Sequence, residues 1–236
     1  MKFISPKARV RSKSINDDVM ILGPSMIDEN TIVEPFVIIG HPIRSKLLRT
    51  KGNPNVERLM DELSEGSMIG KDCIIRSNVT IYEKDEIGDN VEFGHNVLVR
   101  ENTKIGNGTR VGTGVVIDGD TIIGNNVSIQ SMVYIPRGTI IEDNVFLGPN
   151  VVITNDKYPP SKRLDGVRIR RGAVIGANST LIAGIEIGEN AVIAAGSVVT
   201  RNVPSGKVVA GVPARPIYDV DIFIKKRIEY EKSHTS

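Results

Sequence analysis

"VEFGHN VLVREN TKIGNG TRVGTG VVIDGD TIIGNN VSIQSM VYIPRG", residues 91–138, divides into hexads without a gap. The third residue of each is apolar: Phe93, Val99, Ile105, Val111, Ile117, Ile123, Ile129 and Ile135. Working outward, the frame holds from Ser67 to Asp156, 90 residues or 15 hexads, with an apolar third position in every one. With a hydrophobic content of 40%, chance would produce this roughly once in a million, so the period is a property of the fold. The first position is small or β-branched in all but one, Asp85 being the departure. Position four is Gly in seven hexads, and position six is mostly Asn, Asp or Gly. Residues one and three share one side of a strand, while four to six form a polar turn. Each hexad therefore reads as a short strand and a corner.

The frame returns at Val167 for six more hexads, to Asn202, and extends back, less cleanly, over residues 13–42. Two stretches interrupt it. Residues 43–66 contain "NVERLMDEL", which predicts a short helix, and residues 157–166 read "KYPPSKRLDG". Composition agrees with narrow β-structure: aromatics are 4%, Trp is absent and Gly numbers 23 in 236 residues. Such an interior is filled by Val, Ile, Leu and Thr. The net charge of +2 demands neither nucleic acid nor an acidic membrane. The single Cys73 fits a reducing compartment. "MKFISPKARV" has no apolar leader, and no run approaches the ~18 apolar residues of a membrane span. The expectation is a soluble cytoplasmic protein.

The hexads, together with the closing "VVTRNVPSGKVVAGVPARPI" (198–217), resemble the left-handed β-helix acyltransferases, or hexapeptide-repeat transferases. The resemblance covers about residues 13–217. It implies an all-β fold: a left-handed parallel β-helix with three hexads per coil, loop insertions and a short C-terminal helix. The expected division is a β-helix domain over 1–217, with insertions at about 43–66 and 157–166, and a C-terminal helix and tail over 218–236. The resemblance also implies a homotrimer with acyl-CoA between subunits, although outward positions mix polar and apolar residues. With three hexads per coil and insertions that bulge out, both insertions leave at one corner, five coils or about 24 Å apart. Solenoids commonly carry insertions on the binding face.

The stretch "IGNNVSIQSMVYIPRGTIIEDNVFLGPNVVITNDKYPP" (123–160) is similar to acetyltransferases that modify the amino group of nucleotide-linked sugars. Ser131 and Met132 stand where those proteins tend to have an Asn pair, and the 43–66 insertion is not expected in them. The implied reaction is acetyl transfer from acetyl-CoA to that amine, with no metal, in the synthesis of glycan or polysaccharide precursors. A neutral amine attacks a thioester directly, so positioning, oxyanion donors and a place for one proton suffice. Candidates for catalysis are Asn155 and Asp156 at the mouth of the second insertion, His95, and Glu142, which replaces a repeated turn glycine. Asn and Asp also simply begin turns, and His95 and His41 occupy outward corner positions. His234 lies in the tail. Lys157, Tyr158, Arg163 and Gln130 are candidates for the acceptor, the cations suiting an anionic ligand. For CoA the resemblance implies backbone contacts near Gly176, Ala177, Ala195 and Gly196, with Arg201, Lys207 and Arg215 available to phosphates. A hydroxyl acceptor would need a true base, usually His; a non-catalytic scaffold would bind no CoA. The zinc site of the γ-type carbonic anhydrases, which share the fold, needs three His, and only His41 and His95 lie in the repeat.

Overall fold

A computed structural model describes residues 2–233; His234 and the rest of the tail lie outside the described residues. The chain winds as a left-handed parallel β-helix of triangular section. Its two-residue strands stack into three sheets, visited in the repeating order A, B, C. Face A holds ten strands from Phe3–Ile4 to Val198–Val199, face B nine from Arg9–Val10 to Glu186–Ile187. Face C runs from Ile32–Val33 to Lys207–Gly211, where Ala214–Asp219 folds back antiparallel. Register repeats every 18 residues outside the insertions, as in Ile87↔Ile105 and Ile105↔Ile123.

The apolar third positions point inward. Ile75, Ile81, Phe93, Ile117 and Ile135 have no exposed surface, and each such side chain contributes about 1.5–3 kcal/mol by leaving water. Position six turns the chain in the left-handed region, and Asn takes it in most coils, for example Asn90, Asn96, Asn102 and Asn126. Asn tolerates that conformation because its short amide bonds locally. On the B–C edge the fifth-position side chains form a ladder. Asn107, Asn125 and Asp143 each accept an amide from the coil before at 2.8 Å.

The helix begins one coil earlier than the apolar frame suggests. Phe3–Ile4 and Arg9–Val10 pair with the next coil, but Ile4↔Ile21 and Val10↔Ile27 are 17 residues apart instead of 18, which hides the period.

The 43–66 insertion contains α1 (Arg44–Leu47), a 3-10 turn (Leu48–Thr50) and α2 (Val56–Leu63). Glu83, 1% exposed, holds both its ends. The Ile43 amide donates to Oε1 at 3.2 Å, and the Glu65 amide and Lys46 Nζ to Oε2 at 2.7 and 2.8 Å. Buried Asp61 ties α2 to the first coils by accepting the Gly23 amide at 2.7 Å. After the last coil comes α3 (Val220–Lys232), which buries no residue.

Candidate functional site

Both insertions leave face A at the A–B edge. The first follows Val37–His41 and the second follows Val152–Ile153. Five pairings separate those strands, about 24 Å at the spacing of neighbouring strands. This edge differs from the other two. At position four the B–C edge has Gly70, Gly88, Gly106 and Gly124, and the C–A edge has Gly94, Gly112, Gly148 and Gly176. The A–B edge has Tyr82, Arg100, Asp118, Pro136 and Thr154. Arg100 grips Glu101 with two nitrogens at 3.0 and 3.1 Å and reaches Asp118 at 3.0 Å; Arg137 bridges Glu101 and Asp120 at 3.7 and 2.5 Å. This ionic strip between the insertions escaped the sequence reading, although its signal, the missing glycines, recurs every 18 residues.

At the strip's first end His41 packs on Tyr82, ring centroids 4.5 Å apart, with Nδ1 3.0 Å from the Pro42 carbonyl. Burial holds its pKa below the ordinary histidine value, which disfavours the charged ring. At the other end stands the second loop. Asp156 is its clasp: Oδ1 accepts the Tyr158 amide at 3.1 Å and Oδ2 the Ser161 amide at 2.8 Å. The Ser161 bond above all lowers its pKa, which makes the carboxylate a weaker proton acceptor. Asn155 donates to the Arg137 carbonyl at 3.2 Å, and its own carbonyl accepts the Asp165 amide at 2.8 Å. The chain returns through Gly166, where a Cβ would sit 1.9 Å from the Gly138 carbonyl oxygen, so no other residue fits. Beneath the loop is an open cleft lined by Lys157, Tyr158, Ser161, Arg163, Asp165, Ala183 and Gly184.

The other candidates lie elsewhere. His95, Gln130, Gly176, Ala177, Ala195 and Gly196 share the C–A edge, His95 four pairings from Ala177. His95 is half exposed, its Nδ1 4.0 Å from Glu34. Glu142 is on the B–C edge, bound by Arg170 at 2.9 Å and the Arg171 amide at 3.0 Å. Arg201 is on the A–B edge, Lys207 pairs with Asp219 on the closing strands, and Arg215 is exposed there. Within one chain, then, the small-residue edge and the loop are separated by face A. The outer positions of that face bear no charge in any of its ten strands, with Met20, Ile38, Leu98, Val116, Val152 and Val198 among them. Faces B and C carry Glu86, Lys104, Glu92 and Arg110 at the matching positions. The mixed pattern read along the sequence thus resolves into one uncharged face and two charged ones.

The family model described as bacterial transferase hexapeptide (six repeats) matches residues 86–119, 120–155 and 166–201. A 2,3,4,5-tetrahydropyridine-2,6-dicarboxylate N-acetyltransferase of Clostridium perfringens is 42% identical over 83 residues, 35% of this chain and 34% of that protein. The enzyme of the same name from Enterococcus faecalis is 46% identical over 71 residues, 30% of each chain. The match spans about a third of the length of these curated relatives. Among solved structures, a UDP-N-acetylglucosamine acyltransferase from Bacteroides fragilis superposes with a TM-score of 0.64 at 17% identity, covering 95% of this chain and 78% of that one. Eighteen-residue register and inward third positions make the chain a left-handed β-helix, and three stretches of it match the bacterial transferase hexapeptide repeat.

Proposed function

We propose that the protein is an acetyl-CoA-dependent N-acetyltransferase whose acceptor is an anionic amine, a nucleotide-linked amino sugar being the reading favoured by the 123–160 stretch. The observation that carries this is the cleft beneath the second loop, where Lys157 and Arg163 offer cations and the wall is the small Ala183–Gly184 corner. Partial matches to proteins named as N-acetyltransferases support acetyl transfer to nitrogen. Their named substrate is a dicarboxylate, so an anionic acceptor suits both readings. Acetyl-CoA lies along the C–A edge, where Gly176, Ala177, Ala195 and Gly196 let its pantetheine chain approach the backbone.

The cleft and that edge flank opposite sides of face A, so a working site takes the loop from one copy and the C–A edge from the next. A homotrimer with the uncharged face A turned inward supplies this pairing. In the reaction the neutral amine attacks the thioester carbonyl, the C–S bond breaks, and the thiolate of CoA receives the amine's proton. Asp156 shapes the cleft rather than taking that proton, since loop amides occupy both its oxygens. His95 stands about 19 Å from the Ala177 level, four strand spacings, and the amine reading does not need it.

The test is calorimetry with acetyl-CoA, UDP- and dTDP-linked amino sugars and the tetrahydropyridine dicarboxylate, followed by turnover of whichever acceptor binds. CoA binding with a nucleotide sugar supports the reading in full. CoA with the dicarboxylate keeps the N-acetyltransferase and replaces the acceptor. CoA alone favours a hydroxyl acceptor, and binding of none favours a scaffold.

A further inference from the structure

Position six on the C–A edge is left-handed from Phe36 to Gly196, and Asn78, Asn96, Gly114, Asn150, Asn178 and Gly196 suit it. Phe36 and Met132 do not. They hold φ of 63° and 62° with side chains 63% and 60% exposed. A bulky apolar residue is strained in this conformation, and here no burial within the chain offsets it.

Phe36 immediately precedes the face-A strand Val37–His41, at whose far end the 43–66 insertion leaves. The insertion also has apolar surface without cover. Leu48 and Val56 are 43% and 42% exposed, Ile43, Leu47, Leu59 and Leu63 are only partly buried, and none belongs to the core cluster. The charges of the two edges are complementary. Residues 44–51, "RSKLLRTK", hold four cations and no acid. Around Phe36 the C–A edge presents Asp17, Asp18 and Glu34; Asp17 is 92% exposed while pairing with Lys2.

We infer that the 43–66 insertion is an inter-subunit clasp, which receives Phe36 and the acidic C–A edge of a second copy of this chain. This rests on the trimer proposed above. Rotation about an axis parallel to the prism leaves every coil at its own height. With face A inward, the Phe36 end of one Val37–His41 strand meets the insertion end of its neighbour's. Leucines and Ile43 surround the ring, and Arg44, Arg49 and Lys51 face the carboxylates. Met132 stands four pairings further along the C–A edge, within one coil of the second loop's level, and meets that loop in the same manner. The insertion thereby selects its own kind as partner, combining an apolar knob with opposite charge.

The experiment is sedimentation equilibrium on the full chain, with circular dichroism of each variant. Phe36→Asn suits the left-handed corner and keeps the fold, yet the trimer dissociation constant rises about tenfold or more; Leu48→Asp has the same effect. The pair Phe36→Cys with Leu48→Cys, oxidised, links chains into covalent trimers, while each single variant gives none. A wild-type monomer at all concentrations overturns both trimer and clasp. A wild-type trimer left unchanged by Phe36→Asn and Leu48→Asp, with no cross-link, overturns the clasp alone. Should Leu48→Asp unfold, Phe36→Asn and the cross-link decide.

Discussion

Asp85, the one first position in 15 hexads that is neither small nor β-branched, is an acid inside the prism. It is 1% exposed, its Oδ1 accepts the Thr103 amide at 2.8 Å, and its Oδ2 has no hydrogen-bond partner among the described residues. Burial above all, with the Glu101 carboxylate adding to it, pushes its pKa up to about 9. The neighbouring Thr103, Thr121 and Thr139 in the same column donate to corner carbonyls, a bond that an ionised Asp cannot make. The folded chain keeps Asp85 protonated while the unfolded chain ionises it near 3.9. The stability this group contributes is therefore complete below about pH 4 and is lost as pH rises to about 9. Over that window the fall reaches up to about 1.4 kcal/mol per pH unit. Asp85→Asn keeps an acceptor for Thr103 and cannot ionise, so its melting temperature at pH 8 should exceed that of the wild type. The difference should shrink toward pH 5. A variant that melts in parallel with wild type across pH 5–9 would show Asp85 to be already relieved of its charge cost.

The second loop belongs to the scale of elements. Its position was legible in the sequence because each hexad is both a covalent and a structural period, so counting by 18 with residues 43–66 left out puts both insertions at one edge. The same counting assigns His95 and Ala195 to another edge and Glu142 to the third, a separation visible once corners rather than faces are tallied. What counting does not reveal is how a carboxylate is used within an irregular loop. Asn-Asp at the mouth reads equally as chemistry or as a turn, and only the closed loop shows both Asp156 oxygens engaged by amides. A clasp and a proton acceptor respond differently to substitution. Asp156→Asn retains one acceptor oxygen, so kcat should hold within about threefold while the acceptor KM rises. Asp156→Ala loosens the loop, and KM should rise about tenfold, on the order of 1.4 kcal/mol. A collapse of kcat in Asp156→Asn with KM unchanged would assign the proton to Asp156 after all. Gly166→Ala tests the closure itself. With backbone 1.9 Å from the added carbon, the loop cannot return in place, and protease should cut between Lys157 and Arg163 while the coils resist.

At the scale of the whole molecule, a prism of strands is smooth, and each chain divides the proposed donor and acceptor groups among edges that never meet. An acetyl donor held along Ala177 and Ala195 and an acceptor held by Lys157 and Arg163 require face A to be crossed, and that face has no charge to keep it in water. The division makes a prediction that no single-chain site shares. Ala195→Trp blocks the donor edge at an exposed position and leaves the loop intact; Lys157→Ala with Arg163→Ala does the reverse. Each preparation alone should be inactive. Mixed in equal amounts after dissociation and reassembly, they form trimers in which a site is whole when an intact edge meets an intact loop. Independent draws give both halves in about a quarter of the sites, so about a quarter of wild-type turnover should return. Restored activity measured against mixing ratio should peak at equal amounts and vanish at either extreme. If mixing restores nothing while hybrid trimers are visible by mass spectrometry, donor and acceptor meet on one chain, and face A needs another explanation.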